Sequence, residues 1–138
     1  MQFSYTKWEY DGFVVHRPMV SIVVAYKGKR SPPIWFLVDT GADKTVLPLE
    51  IAEMLSIPLD LTKGEKTNGA GGGEFMLYES LERVDLCIEP PKGFRPLKWK
   101  AFISFAEKES IPLLGHKECL EKFNFEFLGR QRKLMITG

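Results

Sequence analysis

A run of five apolar residues, Ile34–Val38, ends at an acidic residue, Asp39. Every position of the run is apolar, which is expected of a strand that is buried on both faces. An ionised carboxylate beside buried strands is costly unless it is paired or hydrogen-bonded. We therefore expect a fold in which a core strand delivers Asp39 to a polar site at the end of that strand.

Most other segments with a clear pattern are also extended. We predict strands over residues 20–26, 83–89 and 99–105, and a closing hairpin over residues 125–136. Short helices are predicted over residues 48–57, which begin with a proline, and over residues 116–123. The pattern predicts an all-β fold, a closed or sandwich-like β-barrel lobe with one or two short helices, in a single domain of residues 1–138.

Charge and composition exclude several classes of protein. Nineteen basic and eighteen acidic residues give a formal charge of +1, so no nucleic-acid or membrane partner is indicated. The first residues lack the apolar segment of a signal peptide, and no apolar run is long enough to span a membrane. Cys87 and Cys119 are too few for a disulfide framework. We expect a cytoplasmic protein.

Asp39 is followed by Thr40 and Gly41. Asp often caps a turn with its own side chain, so the simplest interpretation of Asp39 is structural. However, the Thr40 hydroxyl could fix a loop, and Gly41 allows another backbone to approach closely. The position of these residues after a core strand favours a functional loop.

Residues 68–73 contain four glycines in six positions. Such a segment can adopt the positive φ angles that a moving lid uses, and a disordered loop is the alternative. A phosphate-binding loop is not indicated, because the Gly-Lys-Ser/Thr sequence of such loops is missing.

Residues 34–48, centred on Asp39-Thr40-Gly41, resemble the active-site strand and loop of retropepsins, the single-domain aspartic peptidases of retroviral type. Three more blocks occur in the order of that family. Residues 17–20 resemble the segment before the active site, residues 68–72 the tip of the flap, and residues 113–115 the apolar-apolar-Gly strand near the C-terminus. The likeness covers residues 17–127, so residues 1–16 form an N-terminal extension and residues 128–138 a C-terminal strand.

The resemblance implies an aspartic endopeptidase that hydrolyses peptide or protein substrates without a metal or other cofactor. Asp39, Thr40 and Gly41 are the implied catalytic residues. A single Asp-Thr-Gly per chain implies a homodimer, because the mechanism needs two facing carboxyl groups. The implied substrate-binding residues are Ala42, Asp43, Gly69, Ala70, Gly71, Gly72 and Leu114.

The sequence departs from the viral pattern in three places. The N-terminal extension is longer, the helix over residues 48–57 is more like that of cellular and bacterial members, and His116 stands where viral enzymes usually have Arg. Arg17 resembles the viral arginine that reaches the active-site loop of the other subunit, where Asp43 would be its acceptor. His16 and His116 have no catalytic motif around them, so we expect surface or loop-support roles.

Two other functions are compatible with part of this pattern. The first is an inactive retropepsin-fold dimer that binds peptides or assembles with other proteins, since a fold does not fix a function. The second is phosphoryl transfer, because an Asp-Thr-Gly after an apolar strand also opens some sugar-kinase domains. Those domains have two large lobes and further phosphate loops, which this chain lacks.

Overall fold

The computed structural model describes residues 1–68, 73–108 and 111–138. Its elements, in chain order, are β1 (Gln2–Ser4), β2 (Thr6–Tyr10), β3 (Phe13–Arg17), β4 (Met19–Tyr26), β5 (Lys29–Arg30), β6 (Ile34–Val38), β7 (Val46–Pro48), α1 (Leu49–Leu55), β8 (Glu65–Asn68), β9 (Glu74–Glu79), β10 (Val84–Ile88), β11 (Leu97–Ala101), β12 (Ser104–Ala106), β13 (Leu113–Leu114), a 3-10 helix (Leu120–Lys122), β14 (Asn124–Leu128), a second 3-10 helix (Gly129–Gln131) and β15 (Lys133–Thr137). The predicted mostly β fold with short helices is confirmed.

One large mixed sheet carries the core. Its strands lie in the order β11-β10-β4-β6-β13-β7-β12-β9-β8, and β5 adds to β4. The short strand β13 lies between β6 and β7, parallel to the first and antiparallel to the second. The two strands that flank the Asp39 loop are therefore held apart by a strand from the C-terminal part of the chain.

The core is formed by aliphatic and aromatic side chains from both sides of this sheet. Phe36, Leu47, Phe105 and Leu114 are fully buried within it. Burying a side chain of this size contributes about 1.5–3 kcal/mol relative to exposing it. The part of the sheet that carries Asp39 is thus anchored in the main hydrophobic core.

Two smaller sheets are built from the chain ends. Strand β15 lies between β1 and β14 in a three-stranded antiparallel sheet. Strands β2 and β3 form a separate antiparallel hairpin, with Thr6 opposite Arg17 at its base and Tyr10 opposite Phe13 at its tip. The N-terminal extension therefore supplies one strand to the terminal sheet and most of this hairpin.

Four predicted features differ in detail. Strand β6 is not buried on both faces, because the Trp35 side chain is 54% exposed. The extended stretch over residues 99–105 is divided between β11 and β12, since the backbone N–H of Phe102 leaves the ladder and donates to Glu118 Oε2 at 2.8 Å. The helix predicted over residues 48–57 is confirmed but shorter, ending at Ser56 with a left-handed φ of 55°. The second predicted helix is only a turn and a 3-10 helix, because Glu118 has a φ of 58°.

Gly115 occupies the tightest position between the strands around the Asp39 loop. A Cβ at this residue would lie 2.3 Å from the carbonyl oxygen of Lys44 and 2.8 Å from that of Ala42. Both neighbours are backbone atoms, so neither can swing away as a side-chain end could. Glycine at position 115 is therefore required by the close approach of two backbone segments.

We expect Gly115→Ala to lower the free energy of unfolding by about 3 kcal/mol, the upper end of the usual cost of overpacking. The matched control is Gly129→Ala, because a Cβ at Gly129 meets no atom within 4 Å. Urea unfolding followed by circular dichroism would measure both variants. Equal midpoints for the two variants would contradict the packing described here.

Candidate active site

Asp39 directly follows β6 and lies partly exposed at the end of that strand. Its backbone N–H donates to the carbonyl oxygen of Leu114 at 3.1 Å, which continues the pairing between β6 and β13. As predicted, the core strand β6 therefore ends next to Asp39, which lies in a polar loop.

The Asp39 carboxylate caps the turn that follows it. Its Oδ1 accepts a hydrogen bond from the backbone N–H of Gly41 at 2.9 Å, and its carbonyl accepts from the N–H of Ala42 at 3.1 Å. A Cβ on Gly41 would lie 3.3 Å from Oδ1, closer than most side chains allow. The capping interpretation is therefore correct, and the same bond fixes the orientation of the carboxylate.

The rest of the loop is held from one side by residues 115–117. The backbone N–H of His116 donates to the carbonyl of Ala42 at 3.0 Å, and that of Lys117 donates to the carbonyl of Asp43 at 2.9 Å. Because these are backbone bonds, they depend on the position of the segment more than on the identity of its side chains.

The His116 side chain adds a further support. Its Nε2 lies 2.6 Å from the carbonyl oxygen of Thr40. A carbonyl only accepts hydrogen bonds, so Nε2 must carry the proton. The loop-support role expected for His116 fits this contact, and a histidine here supports the loop at the position where viral enzymes usually have Arg.

Thr45 is a supporting residue that the sequence did not reveal. Its side chain is buried, and its Oγ1 accepts a hydrogen bond from the backbone N–H of Gly115 at 3.0 Å. The only signal in the sequence is a hydroxyl residue immediately before the apolar pair Val46 and Leu47. That signal is too common to identify a residue that orders the Asp39 loop.

The remaining predicted site residues fall into three groups. Thr40, Gly41 and Asp43 are exposed beside Asp39, with Ala42 partly exposed among them. The Leu114 side chain is fully buried in the core, and a substrate-binding role for Leu114 stays a prediction. Gly69, Ala70, Gly71 and Gly72 lie outside the described residues.

The strands on either side of the glycine-rich segment form an antiparallel pair. The last paired residues are Asn68 and Glu74. Near the base of this pair, Lys44 Nζ lies 2.7 Å from Glu65 Oε2, and this hydrogen bond holds the pKa of the Glu65 carboxyl below its usual value. An ion pair thus links strand β8 to the end of the Asp39 loop.

The Arg17 side chain contacts two aromatic residues of its own hairpin. Its guanidinium lies 4.9 Å from the centre of the Trp8 ring, and its Nη2 donates to the Tyr10 hydroxyl at 3.4 Å. The contact between Arg17 and Asp43 of the other subunit stays a prediction.

Neither cysteine has the lowered pKa that is typical of a nucleophilic thiol. Burial raises the pKa of the Cys87 thiol, and it also raises the pKa of the fully buried Cys119. A thiol with a raised pKa is protonated near neutral pH and is a poor nucleophile.

In the described part of the chain, no group of three His, Cys, Asp or Glu residues is placed to hold a metal. No helix among the described residues has the length and apolar character needed to cross a membrane.

Comparison with known proteins points to one family. Residues 22–86 match the model of a family described as aspartyl protease. A retropepsin-like aspartic protease from Rickettsia conorii superposes with a TM-score of 0.50 at 22% identity, covering 99% of this chain and 90% of that chain. The EIAV protease, solved with the inhibitor HBY-793, gives a TM-score of 0.47 at 23% identity over 72% of this chain and 81% of that chain. No curated protein matches.

The match over residues 22–86 includes the whole of β6 and the Asp39 loop, and the superposition with the Rickettsia enzyme shows a shared fold. Together with the four sequence blocks, these findings make the chain similar to retropepsin-like aspartic proteases, whose fold it shares.

Proposed function

We propose that this chain is an active aspartic endopeptidase in which two copies pair and each supplies one Asp39 carboxyl. The observation that carries the proposal is the Asp39 loop itself. A carboxylate at the end of a core strand is oriented by the N–H of Gly41 and remains partly exposed. The family and fold support a peptidase of the aspartyl type, and the homodimer supplies the second carboxyl that the chemistry needs.

Two carboxyl groups that face each other closely cannot both ionise, so the pair holds one proton. The ionised carboxyl takes a proton from a water molecule as the water oxygen bonds to the carbon of the peptide carbonyl. The protonated carboxyl donates to the carbonyl oxygen, which gains charge in this step. The pair now holds two protons, and one of them passes to the leaving nitrogen as the C–N bond of the tetrahedral intermediate breaks, so the pair again holds one proton.

The antiparallel pair β8–β9 supports a role in holding the substrate. Its base is linked to the Asp39 loop by the ion pair between Lys44 and Glu65. We propose that the segment between these strands closes over an extended peptide, whose backbone would pair with it as an added strand. Recognition of this kind gives affinity with little demand on the sequence of the substrate.

We expect Asp39→Asn to lower the cleavage of a quenched fluorescent peptide library by about 100-fold or more, because it removes the general base. Asn keeps an oxygen that can accept from the N–H of Gly41, so the loop should keep its shape. Asp85→Asn is the matched control, since Asp85 is an exposed carboxylate paired with Lys100 at 3.4 Å. Absence of cleavage by the unchanged protein across pH 3–8 would favour the inactive binding module.

A mixing experiment tests the shared dyad. We expect an equal amount of Asp39→Asn protein, added under conditions of subunit exchange, to lower the activity to about half, because random pairing puts half of the intact subunits into mixed dimers. Added Asp85→Asn protein should instead raise the total activity. If Asp39→Asn protein leaves the activity unchanged, each chain works alone and the dyad mechanism is wrong.

We expect His116→Ala to lower kcat by about tenfold while the melting temperature changes little, because the ring is exposed and supports only the carbonyl of Thr40. His116→Gln can still offer an N–H donor and should recover part of the lost rate. The measurement is kcat and KM for one identified peptide. Equal kcat values for all three proteins would show that the ring does not position the loop.

A further inference from the structure

The hairpin β2–β3 begins beside the catalytic loop. Strand β4 runs antiparallel to β6 with Met19 opposite Leu37, and the next pairing bond joins the N–H of Val38 to the carbonyl of Pro18. Followed back from Pro18, the chain therefore passes the end of β6 at which Asp39 lies. Strand β3 and its partner β2 extend from that edge of the large sheet.

The hairpin has one aromatic face. Residues opposite each other in an antiparallel pair share a face, so the pairs Trp8–Val15 and Tyr10–Phe13 lie on the same side. Trp8 is partly covered near the base, where its Nε1 donates to Met19 Sδ at 3.1 Å. Toward the tip, Tyr10 is 50% exposed and Phe13 is 67% exposed, with their ring centres 6.3 Å apart.

The aromatic pair at the hairpin tip is an exposed apolar contact area. Tyr and Phe each offer about 150–250 Å² of contact area, and rings of this kind dominate the energetics of protein interfaces. A two-stranded hairpin is also only marginally stable by itself in water. Among the described residues, β2 and β3 pair with no third strand. The tip of the hairpin thus has the composition of a contact surface and little support from its own chain.

We propose that the aromatic face of the β2–β3 hairpin, formed by Trp8, Tyr10, Val15 and Phe13, packs against a second copy of this chain and holds the dimer together. The inference rests on the proposed function, because the shared dyad brings the second copy to the edge that carries Asp39. The hairpin begins at that same edge, next to the surface that the second copy would cover. In a two-fold dimer each hairpin would contact the other subunit, so the contact is made twice.

The experiment compares the dimer dissociation constants of three single variants by analytical ultracentrifugation. Phe13→Thr removes an exposed ring from the aromatic face and puts a β-branched residue, which favours a strand, in its place. Val14→Thr is the matched control on the opposite face of the same hairpin, where the side chain is 55% exposed. Leu81→Thr is a second control, also 55% exposed, near Glu82, which binds Tyr26 at the far end of β4.

We expect Phe13→Thr to raise the dissociation constant at least about tenfold, equivalent to 1.4 kcal/mol, and both controls to leave it unchanged. A dimer that Phe13→Thr does not weaken would overturn the inference while leaving the proposed function intact.

A higher KM in Phe13→Thr protein with an unchanged dissociation constant would also overturn the inference, because the face would then bind substrate. If Phe13→Thr weakens a dimer that cleaves no peptide, the inference stands and the proposed function fails. A protein that is monomeric at every concentration would overturn the inference, and peptidase activity in that monomer would also overturn the shared dyad.

Discussion

The position of the Asp39 carboxylate depends on the close contact between residues 113–117 and the Asp39 loop. Strand β13 separates β6 from β7, and the residues after it bond to the loop at Ala42 and Asp43. Gly115 allows this approach because a side chain there would overlap the backbone of Lys44. A loop held by backbone bonds over most of its length loses little entropy when substrate binds, which favours catalysis by a preorganised group.

In this arrangement, the atoms that support the Asp39 loop differ from the carboxyl group that would perform the chemistry. The supporting atoms are mostly backbone groups, together with the buried hydroxyl of Thr45 and the ring of His116. Under the proposed mechanism, the reacting group is one carboxyl per chain. Relatives could therefore exchange the residue at position 116 while keeping the loop, and a chain could also lose activity while keeping its fold. Measurements on the carboxyl are more informative about function than further measurements on the fold.

The sequence predicted the parts of this molecule that are governed by local pattern. Apolar runs and alternation located β6 and β10, and the proline at position 48 located the start of α1. The contact of His116 with Thr40 joins residues far apart in the chain, so local pattern could not reveal the bond itself. The second helix was overestimated because the side chain of Glu118 is used elsewhere, bonded to Arg83 and to the N–H of Phe102 while its backbone turns left-handed.

The terminal sheet bears on how the proposed rate of proteolysis would depend on protein concentration. Strand β15 has strands of its own chain on both sides, so a single subunit completes this sheet without help. Folding and pairing can then be separate events, and a folded subunit can exist before it meets another. Under the proposed mechanism, the rate of proteolysis in a dilute solution rises with the square of the protein concentration. Modest changes in synthesis or degradation of the protein therefore change that rate more than proportionally.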